Sequence, residues 1–344
     1  MNKTKVKLVH RSSQADEYSV FRKQTPKESG TWGSCEFTFN PLEHDYDWLV
    51  VIDDIPRIMK NGYEKLSCPK EHTIFVTTEP VSVTYYGESF VKQFHYLITN
   101  QDEKSLPHPN SIRSQTGNDW FYGKSYDDII VAEPPQKSKL LSTICSNKRQ
   151  GHTMHRLRYD FTARMEKEIP ELERFGRGFK WIETKAEAID PYRFHVAVEN
   201  HIAPHVWTEK LADAFLGYAV PIYHGCPNVY DYFPEDSIIC IDITKPDEAI
   251  KTIKRAISTP GEYEKRINGV IEARRRVIEE YNLLAMIDKI ISNHNDKETL
   301  NEISEAHYIY NRRIMRTINP KDLIKFIRWK SNNSIKNIHS RLTI

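Results

Sequence analysis

The densest set of chemically active side chains lies in the second half of the chain, in the stretch VAVENHIAPHVWTEKLADAF. Five polar residues flank the junction between an apolar strand and a helix there: Glu199, Asn200, Thr208, Glu209 and Lys210. A helix N-terminus presents unpaired N–H groups and a partial positive charge, and an added lysine favours a phosphate. Helix capping accounts for Thr208 and Glu209, but not for the two groups at the strand end or for the lysine. The stretch therefore predicts a phosphate site, with Glu209 available to sugar hydroxyls.

A second polar segment, SNKRQGHTMHRLRY, follows the first predicted strand of the second half. Ser146 and Asn147 end that strand, and a helix opens with Arg156 and Arg158 close to its start. Arginines near a helix N-terminus work against its dipole unless an anion is bound, and a guanidinium can hold a diphosphate through two hydrogen bonds. Either a diphosphate binds here or both arginines are solvated surface residues.

A candidate general base follows an apolar strand in the first half of the chain, in Thr78-Glu79-Pro80. A carboxylate at the end of a buried strand is well placed to accept a proton. Asp53 and Asp54, at the end of the preceding predicted strand, compete for this role. The acidic pair could also hold a metal, although two adjacent carboxylates without further ligands indicate one only weakly.

Histidine and cysteine spacing gives little support to a metal site. His201, His205 and His224 match no usual ligand spacing, and the five cysteines are widely separated without a CxxC pair. Such cysteines fit a cytosolic protein in which they stay reduced. The sequence also has no GxGxxG, P-loop or GxSxG motif. Their absence disfavours dehydrogenases, P-loop NTPases and serine hydrolases.

Apolar runs predict the strands that carry these groups. They lie within 48–53, 72–80 and 94–99 in the first half, and within 140–149, where a polar loop follows the strand, 194–198, 219–225 and 237–243 in the second. Helical spacing is found over 154–169, 208–217, 246–257 and 261–294. This alternation predicts doubly wound α/β domains, in which ligands bind beyond the carboxyl ends of parallel strands.

The 344-residue length fits two domains of ordinary size. A polar stretch over about 102–138, rich in Pro, Asn and Gly, marks the approach to a boundary. We therefore predict one domain over 1–136, a second over 137–300 and a basic tail over 301–344. The hydrophobic content of 39% allows two cores, and the formal net charge of +2 gives no global attraction for nucleic acid.

The second half resembles the donor-binding block of glycosyltransferase family 10, the α-1,3/4-fucosyltransferases, over residues 192–243. That block reads YRFHVAVENHIAPHVWTEKLADAFLGYAVPIYHGCPNVYDYFPEDSIICIDI. Further segments similar to the family's motifs lie upstream, at Thr78-Glu79-Pro80, Ser146-Asn147, Arg156-Leu157-Arg158-Tyr159 and Phe175-Gly176. In all, the resemblance covers roughly residues 70–245.

The resemblance implies a GT-B fold, in which two Rossmann-like domains face each other across a cleft. It implies transfer of L-fucose from GDP-β-L-fucose to a hydroxyl of N-acetylglucosamine or glucose, with inversion at the anomeric carbon. Glu79 would be the catalytic base, while Arg156 and Lys210 would stabilise the charge on the departing GDP. The donor site would also contain Ser146, Asn147, Gly176, Glu199, Asn200, Thr208 and Glu209. No cofactor is obligatory on this basis, and stimulation by a divalent cation is left open.

The chain departs from the family pattern at His201, where the family has serine, and at His205-Val206, where it has Asp-Tyr. Trp207 is the aromatic residue available in place of that tyrosine. Three hypotheses follow: a fucosyltransferase of α-1,3 or α-1,4 linkage, a transferase of the same fold that uses another GDP-sugar, and a non-catalytic glycan- or membrane-binding protein on this scaffold.

The tail is basic and amphipathic. Over residues 307–344 its basic residues are opposed by Asp322 alone and are Arg312, Arg313, Arg316, Lys321, Lys325, Arg328, Lys330, Lys336 and Arg341. Apolar residues recur among them, which is typical of a helix on a membrane surface; the alternative is a solvated helix packed on the first domain. We expect a bacterial cytoplasmic enzyme, peripheral on the inner face of the cytoplasmic membrane, that builds lipopolysaccharide or another surface glycan. Its partners would be a GDP-sugar and an oligosaccharide or glycolipid acceptor, without nucleic acid.

Overall fold

The computed structural model describes residues 3–14, 19–117, 119–148, 154–294 and 307–342, the side chains of 335–342 excepted. The strands in this part of the chain are β1 (Thr4–His10), β2 (Thr31–Trp32), β3 (Cys35–Thr38), β4 (Trp48–Ile52), β5 (Tyr63–Lys65), β6 (Thr73–Val76), β7 (Tyr96–Thr99), β8 (Ser111–Arg113), β9 (Lys139–Ile144), β10 (Leu172–Phe175), β11 (Tyr192–Val198), β12 (Val220–His224), β13 (Ile239–Cys240) and β14 (Tyr308–Tyr310). The helices are α1 (Glu88–Val91), α2 (Tyr126–Val131), α3 (His155–Glu168), α4 (Glu209–Leu216), α5 (Pro246–Ser258), α6 (Glu262–Glu279), α7 (Leu283–Asn293), α8 (Arg312–Ile318) and α9 (Pro320–Leu342). Residues 1–117 with 283–338 form one compact unit, and residues 118–282 with 339–344 form another.

The first unit is built on a sheet of strand order β2-β3-β1-β4-β6-β7-β8, parallel from β3 onward. Strands β4 and β6 are buried along their whole length, as strands covered by helices on both faces are. The order of the strands reverses between β1 and β4, and ligands of such sheets bind beyond the strand ends at this switch point.

Strand β1 is missing from the strands predicted from the sequence, because two lysines interrupt its apolar pattern. Lys7 is fully buried, and its Nζ lies 2.8 Å from Glu64 Oε1 and 2.8 Å from the Glu43 carbonyl oxygen. A buried charge is tolerated when it is paired and hydrogen-bonded in this way. A strand with a polar sequence therefore occupies the middle of the sheet.

The second unit is built on a parallel sheet of strand order β10-β9-β11-β12-β13. The four strands predicted over 140–149, 194–198, 219–225 and 237–243 correspond to β9, β11, β12 and β13. The order reverses between β9 and β11, so this edge of the sheet also has a switch point. The polar residues that follow β9 and β11 are therefore brought together.

The structure divides the chain at other points than the predicted 1–136, 137–300 and 301–344. The second unit begins at 118 and its main segment ends at 282, while α7 and residues 307–338 belong to the first unit. The helix predicted over 261–294 is interrupted between α6 and α7. Helix α7 buries Leu283, Leu284 and Ile287 in the core beside β1, β4 and β6, and this apolar burial places it with the first unit.

The C-terminal helices pack on the first unit. The indole N–H of Trp329 donates to the carbonyl of Val81 at 2.7 Å, and Asp322 Oδ2 accepts the backbone N–H of Ser89 at 2.8 Å. Lys336 and Arg341 lie outside the described side chains. Among the described residues, none of the helices combines the length and apolar character that crossing a membrane requires.

Candidate active site

Glu199 and Thr208 join the end of β11 to the start of α4. The Glu199 carboxylate is buried, and its Oε1 accepts the backbone N–H of Thr208 at 2.8 Å. Its Oε2 accepts the Thr208 hydroxyl at 2.7 Å. Thr208 is the N-cap of α4, and its hydroxyl oxygen accepts the backbone N–H of Lys210 at 3.4 Å. Because both Glu199 oxygens are engaged within the protein, this carboxylate holds the helix start in place.

Lys210 lies in the first turn of α4 among carboxylates. Its Nζ is 2.9 Å from Glu209 Oε1 and 3.7 Å from Glu199 Oε2. Burial disfavours the charged amine, but the two carboxylates outweigh burial and raise the pKa of Lys210. The side chain therefore carries its positive charge at neutral pH, at a helix end where an anion is already favoured.

A cavity of about 160 Å³ lies at the carboxyl ends of β9 and β11. Its polar lining residues are Ser146, Arg158, Lys185, His195, Glu209, Lys210 and Asp213. Sites for whole drug-sized ligands measure about 300–1,000 Å³, so this cavity fits one part of a nucleotide sugar, such as its diphosphate. Three cationic side chains line it beside the carboxylates of Glu209 and Asp213, and cationic side chains are the groups that bind a diphosphate.

The structure places Arg158 in this cavity and Arg156 outside it. The Arg158 side chain is buried, with Nη1 3.4 Å from the Val198 carbonyl oxygen and no hydrogen-bond partner for Nε among the described residues. The Arg156 side chain is 48% exposed and lies 3.9 Å from Asp160. Helical spacing in the sequence could have distinguished the two arginines, because Arg158 shares the buried face of α3 with Phe161.

Three further cavity residues were not predicted: Lys185, His195 and Asp213. Lys185 Nζ lies 2.7 Å from Asp213 Oδ2, and burial raises the pKa of Asp213 to about 6 although Lys185 opposes the shift. Burial lowers the pKa of His195 to about 3, so this ring is neutral. Helical spacing could have indicated Asp213, because it follows Lys210 by three positions on α4.

The other predicted donor residues lie at the same edge of the sheet. Gly176 has a φ of +117°, and a Cβ there would be 2.9 Å from the Cys145 carbonyl oxygen, so this position needs glycine. The backbone N–H of Asn147 donates to the Arg177 carbonyl oxygen at 3.0 Å. The Asn200 side-chain oxygen is buried and accepts no hydrogen bond from the described residues. The donor roles of these residues stay predictions.

Two of the positions that depart from the family pattern, His205 and Val206, are used by the fold. His205 has a φ of +65°, and its backbone N–H donates to Asn228 Oδ1 at 2.8 Å. Its Nδ1 lies 2.6 Å from the Tyr232 hydroxyl. Val206 and Trp207 are buried, and the indole ring packs edge-on against Tyr232 at 5.7 Å. Trp207 is therefore a core residue and does not line the cavity.

Glu79, the predicted base, lies on the loop after β6 and its side chain is exposed. Asp53 follows β4 and holds this loop: its Oδ1 accepts the Thr78 N–H at 2.9 Å and its Oδ2 accepts the Thr78 hydroxyl at 2.5 Å. The Tyr86 hydroxyl donates to the same carboxylate and accepts the Glu79 N–H at 3.2 Å. Gln101 Nε2 donates to the Glu79 carbonyl at 2.9 Å.

The two aspartates that competed with Glu79 are therefore held by other groups. Asp53 has the three hydrogen bonds just described, and Asp54 Oδ2 lies 3.0 Å from Arg312 Nε. The described residues contain no group of three or more His, Cys, Asp or Glu side chains that could hold an ion. Asp53 and Asp54 position the backbone, and Glu79 is the exposed carboxylate of the loop.

Comparison with known proteins supports the sequence-based assignment. Residues 134–267 match the family described as glycosyltransferase family 10 (fucosyltransferase), C-terminal. The 4-galactosyl-N-acetylglucosaminide 3-α-L-fucosyltransferase 9 of Mus musculus is 32% identical over 228 residues, which are 64% of this chain and 59% of that protein. The α-(1,3)-fucosyltransferase FucT of Helicobacter pylori is 35% identical over 74 residues, 21% of this chain and 16% of that protein. The chain thus spans less than two thirds of the length of these relatives.

One solved structure supports the fold. The DNA-modifying enzyme β-glucosyltransferase is 8% identical and aligns with a TM-score of 0.50, over 85% of this chain and 100% of that chain. At this identity the likeness concerns the fold alone. Together with the two mainly parallel sheets, it confirms the predicted α/β fold of the GT-B class.

Proposed function

Since residues 134–267 match glycosyltransferase family 10, we propose that the chain is an inverting α-1,3-fucosyltransferase that uses GDP-β-L-fucose. One observation carries this proposal: the buried Glu199 and the N-cap Thr208 fix Lys210 in a cavity that three cationic side chains line, inside the family's matched region. Both relatives described above are named as 3-fucosyltransferases, which favours the 1,3 linkage over the 1,4 linkage.

The donor diphosphate would lie in the cavity of the second unit. Arg158 and Lys210 would neutralise the charge that develops on GDP as the bond to fucose breaks, and Arg158 takes the role that the sequence assigned to Arg156. Two cations of the chain can meet this charge, so we propose that a divalent cation is not obligatory. Asn200 has a buried oxygen available to accept a hydrogen bond from the nucleoside or the sugar.

Glu79 would take the proton of the acceptor hydroxyl as that oxygen attacks the anomeric carbon. A single displacement turns the β-linked donor into an α-linked product, so the configuration inverts. The acceptor suggested by the relatives' printed name is a 4-galactosyl-N-acetylglucosaminide, which lipopolysaccharide or another surface glycan could carry. A positioned general base contributes about 10²- to 10⁴-fold to such a step.

We also propose that the protein works in the cytoplasm, peripheral on the inner face of the membrane. Leu323, Ile324 and Ile327 of α9 are exposed by 39%, 51% and 53%, and they are interleaved with Lys321, Lys325, Arg328 and Lys330. Exposed apolar residues among basic ones favour an anionic lipid surface. Sedimentation with phosphatidylglycerol vesicles tests this, and absence of binding at physiological salt would contradict it.

The departures at His201 and His205-Val206 make another GDP-sugar the second candidate for the donor. A competition panel separates the candidates: GDP-fucose, GDP-mannose and GDP-glucose displace a labelled GDP from the protein. The proposal expects the tightest binding for GDP-fucose, and preference for another GDP-sugar would support the second candidate. If none of them binds, a non-catalytic protein on this scaffold becomes the better account.

A further inference from the structure

A second cavity, of about 380 Å³, lies within the first unit between the loop after Glu79 and helices α8 and α9. We name it the arginine pocket, defined by Arg11, Arg312, Arg313, Arg316, Phe326 and Trp329. None of these residues has a role in the donor site or in the predicted proton transfer. The proposed fucosyl transfer therefore does not explain why four arginines line the arginine pocket.

The positive charge of the arginine pocket exceeds the negative charge around it. Arg312 is paired, because its Nε lies 3.0 Å from Asp54 Oδ2. Arg11 and Arg313 are exposed and have no ion-pair partner in the described part of the chain. Asp322 is near, but its carboxylate accepts the backbone N–H of Ser89 at 2.8 Å.

Arg316 adds a third cation that no carboxylate neutralises at hydrogen-bond distance. Its Nη2 donates to the Tyr85 carbonyl at 3.2 Å, while its buried Nε has no hydrogen-bond partner among the residues described. Burial and the neighbouring charge of Arg312 lower the pKa of Arg316. A bound anion would relieve both the repulsion and the unmet donor.

Aromatic rings form one wall of the pocket. The Arg316 guanidinium lies 4.0 Å from the centre of the Phe326 ring, which stacks on Trp329 at 6.1 Å with an interplanar angle of 21°. The hydrogen bond from Trp329 to Val81 holds this wall against the loop after Glu79. Rings beside a guanidinium orient its remaining N–H groups, and they offer an apolar surface next to the anion.

We propose that the arginine pocket binds a phosphate ester carried by the saccharide acceptor. This rests on the proposed function, because it places the acceptor on the unit that holds Glu79. Guanidinium groups bind phosphate through paired hydrogen bonds, and a phosphate carries enough charge to offset the excess. Val83, Thr84 and Tyr85 line the pocket and belong to the loop that follows Glu79, so binding there holds the acceptor beside the segment that carries the base.

Titration calorimetry with N-acetylglucosamine 1-phosphate as the probe tests the pocket. Saturating GDP fills the donor cavity, and a Lys210→Gln variant checks independently that the donor cavity does not bind the probe. The double variant Arg11→Gln/Arg313→Gln removes two exposed charges and should weaken probe binding about tenfold or more. Arg328→Gln removes an exposed charge of α9 outside the pocket and should change the affinity less than about twofold.

The proposal would be overturned by equal affinity of the double variant and the wild type, by equal binding of unphosphorylated N-acetylglucosamine, or by loss of probe binding in Lys210→Gln. Inorganic phosphate that binds as tightly as the probe would assign the pocket to free phosphate. Phosphatidylglycerol vesicles that require Arg11 and Arg313, where phosphatidylcholine vesicles do not bind, would assign it to lipid. Either outcome contradicts the proposal that the arginine pocket binds a phosphorylated acceptor.

The probe experiment and a transfer assay fail independently. Probe binding that depends on the arginines, without any sugar transfer, would refute the fucosyltransferase and leave a phosphosaccharide-binding pocket. The opposite result is transfer without preference for a phosphorylated acceptor, and with the same acceptor KM in the double variant. That result would refute the phosphate-ester proposal and leave the fucosyltransferase proposal standing.

Discussion

Both carboxylate oxygens of Glu199 accept hydrogen bonds from Thr208, one from its backbone N–H at 2.8 Å and one from its hydroxyl at 2.7 Å. A single buried side chain thus connects the end of β11 to the start of α4 and sets the place of Lys210. The predicted donor site depends on this connection.

Glu199→Gln should weaken GDP-fucose binding about tenfold and lower the free energy of unfolding by about 1–3 kcal/mol, because an amide cannot accept both hydrogen bonds from Thr208. Calorimetry and urea denaturation measure the two effects. Glu248→Gln, an exposed change on α5, is the matched control. It should change neither the affinity for GDP-fucose nor the free energy of unfolding. Unchanged donor affinity in Glu199→Gln would show that Lys210 is positioned by other contacts.

Arg158→Lys and Arg156→Lys should differ in donor binding. Lysine keeps the charge but loses the fork of N–H donors, so the substitution at Arg158 should raise the Kd for GDP-fucose about tenfold or more. The same change at the exposed Arg156 should alter it less than about twofold. The reverse pattern would restore the role that the sequence suggested for Arg156.

Asp53→Asn should lower kcat and leave the Kd of GDP-fucose unchanged, because Asp53 positions the loop of Glu79 and lies outside the donor cavity. The amide cannot accept all three hydrogen bonds that the carboxylate receives. We expect a fall in kcat of about tenfold, from misplacement of the base. A larger loss than that caused by Glu79→Gln would instead indicate that Asp53 itself is the base.

The stability of the protein should fall as the pH rises from about 4 to 6 through the ionisation of Asp213. Its folded pKa of about 6 lies above the usual value for aspartate, so the folded state holds an extra proton in this window. Stability is therefore greatest below the unfolded pKa and is lost as the pH passes the folded one. Asp213→Asn should remove this dependence, measured as the difference in Tm between variant and wild type across the window. A difference in Tm that stays constant across this pH window would contradict the prediction for Asp213.

The second unit could be predicted from the sequence in most of its elements, because β9, β11 and β12 are apolar runs that end in polar residues. The first unit could be predicted less well. Strand β1 depends on the ion pair of Lys7 with Glu64, and no local pattern reveals a partner so distant in sequence. Helix α7 was expected in the second domain, because only its packed face shows where it belongs.

The same distinction holds within the candidate site. Ser146, Glu209 and Lys210 follow from strand ends and helix starts, and the structure brings them to one cavity. The choice of Arg158 over Arg156 depends on helix phase. The role of Asp53 depends on Thr78 and Tyr86, which approach it only when β4 and β6 pair.

The central claim is tested most directly by incubating the protein with radiolabelled GDP-fucose and N-acetyllactosamine, in parallel with an N-acetyllactosamine whose N-acetylglucosamine 3-hydroxyl is blocked by methylation. We predict an α-1,3-fucosylated product from the open acceptor only, with kcat reduced about 10²- to 10⁴-fold in Glu79→Gln at unchanged donor Kd. Absence of transfer and of donor hydrolysis, with no binding of GDP, would contradict the account.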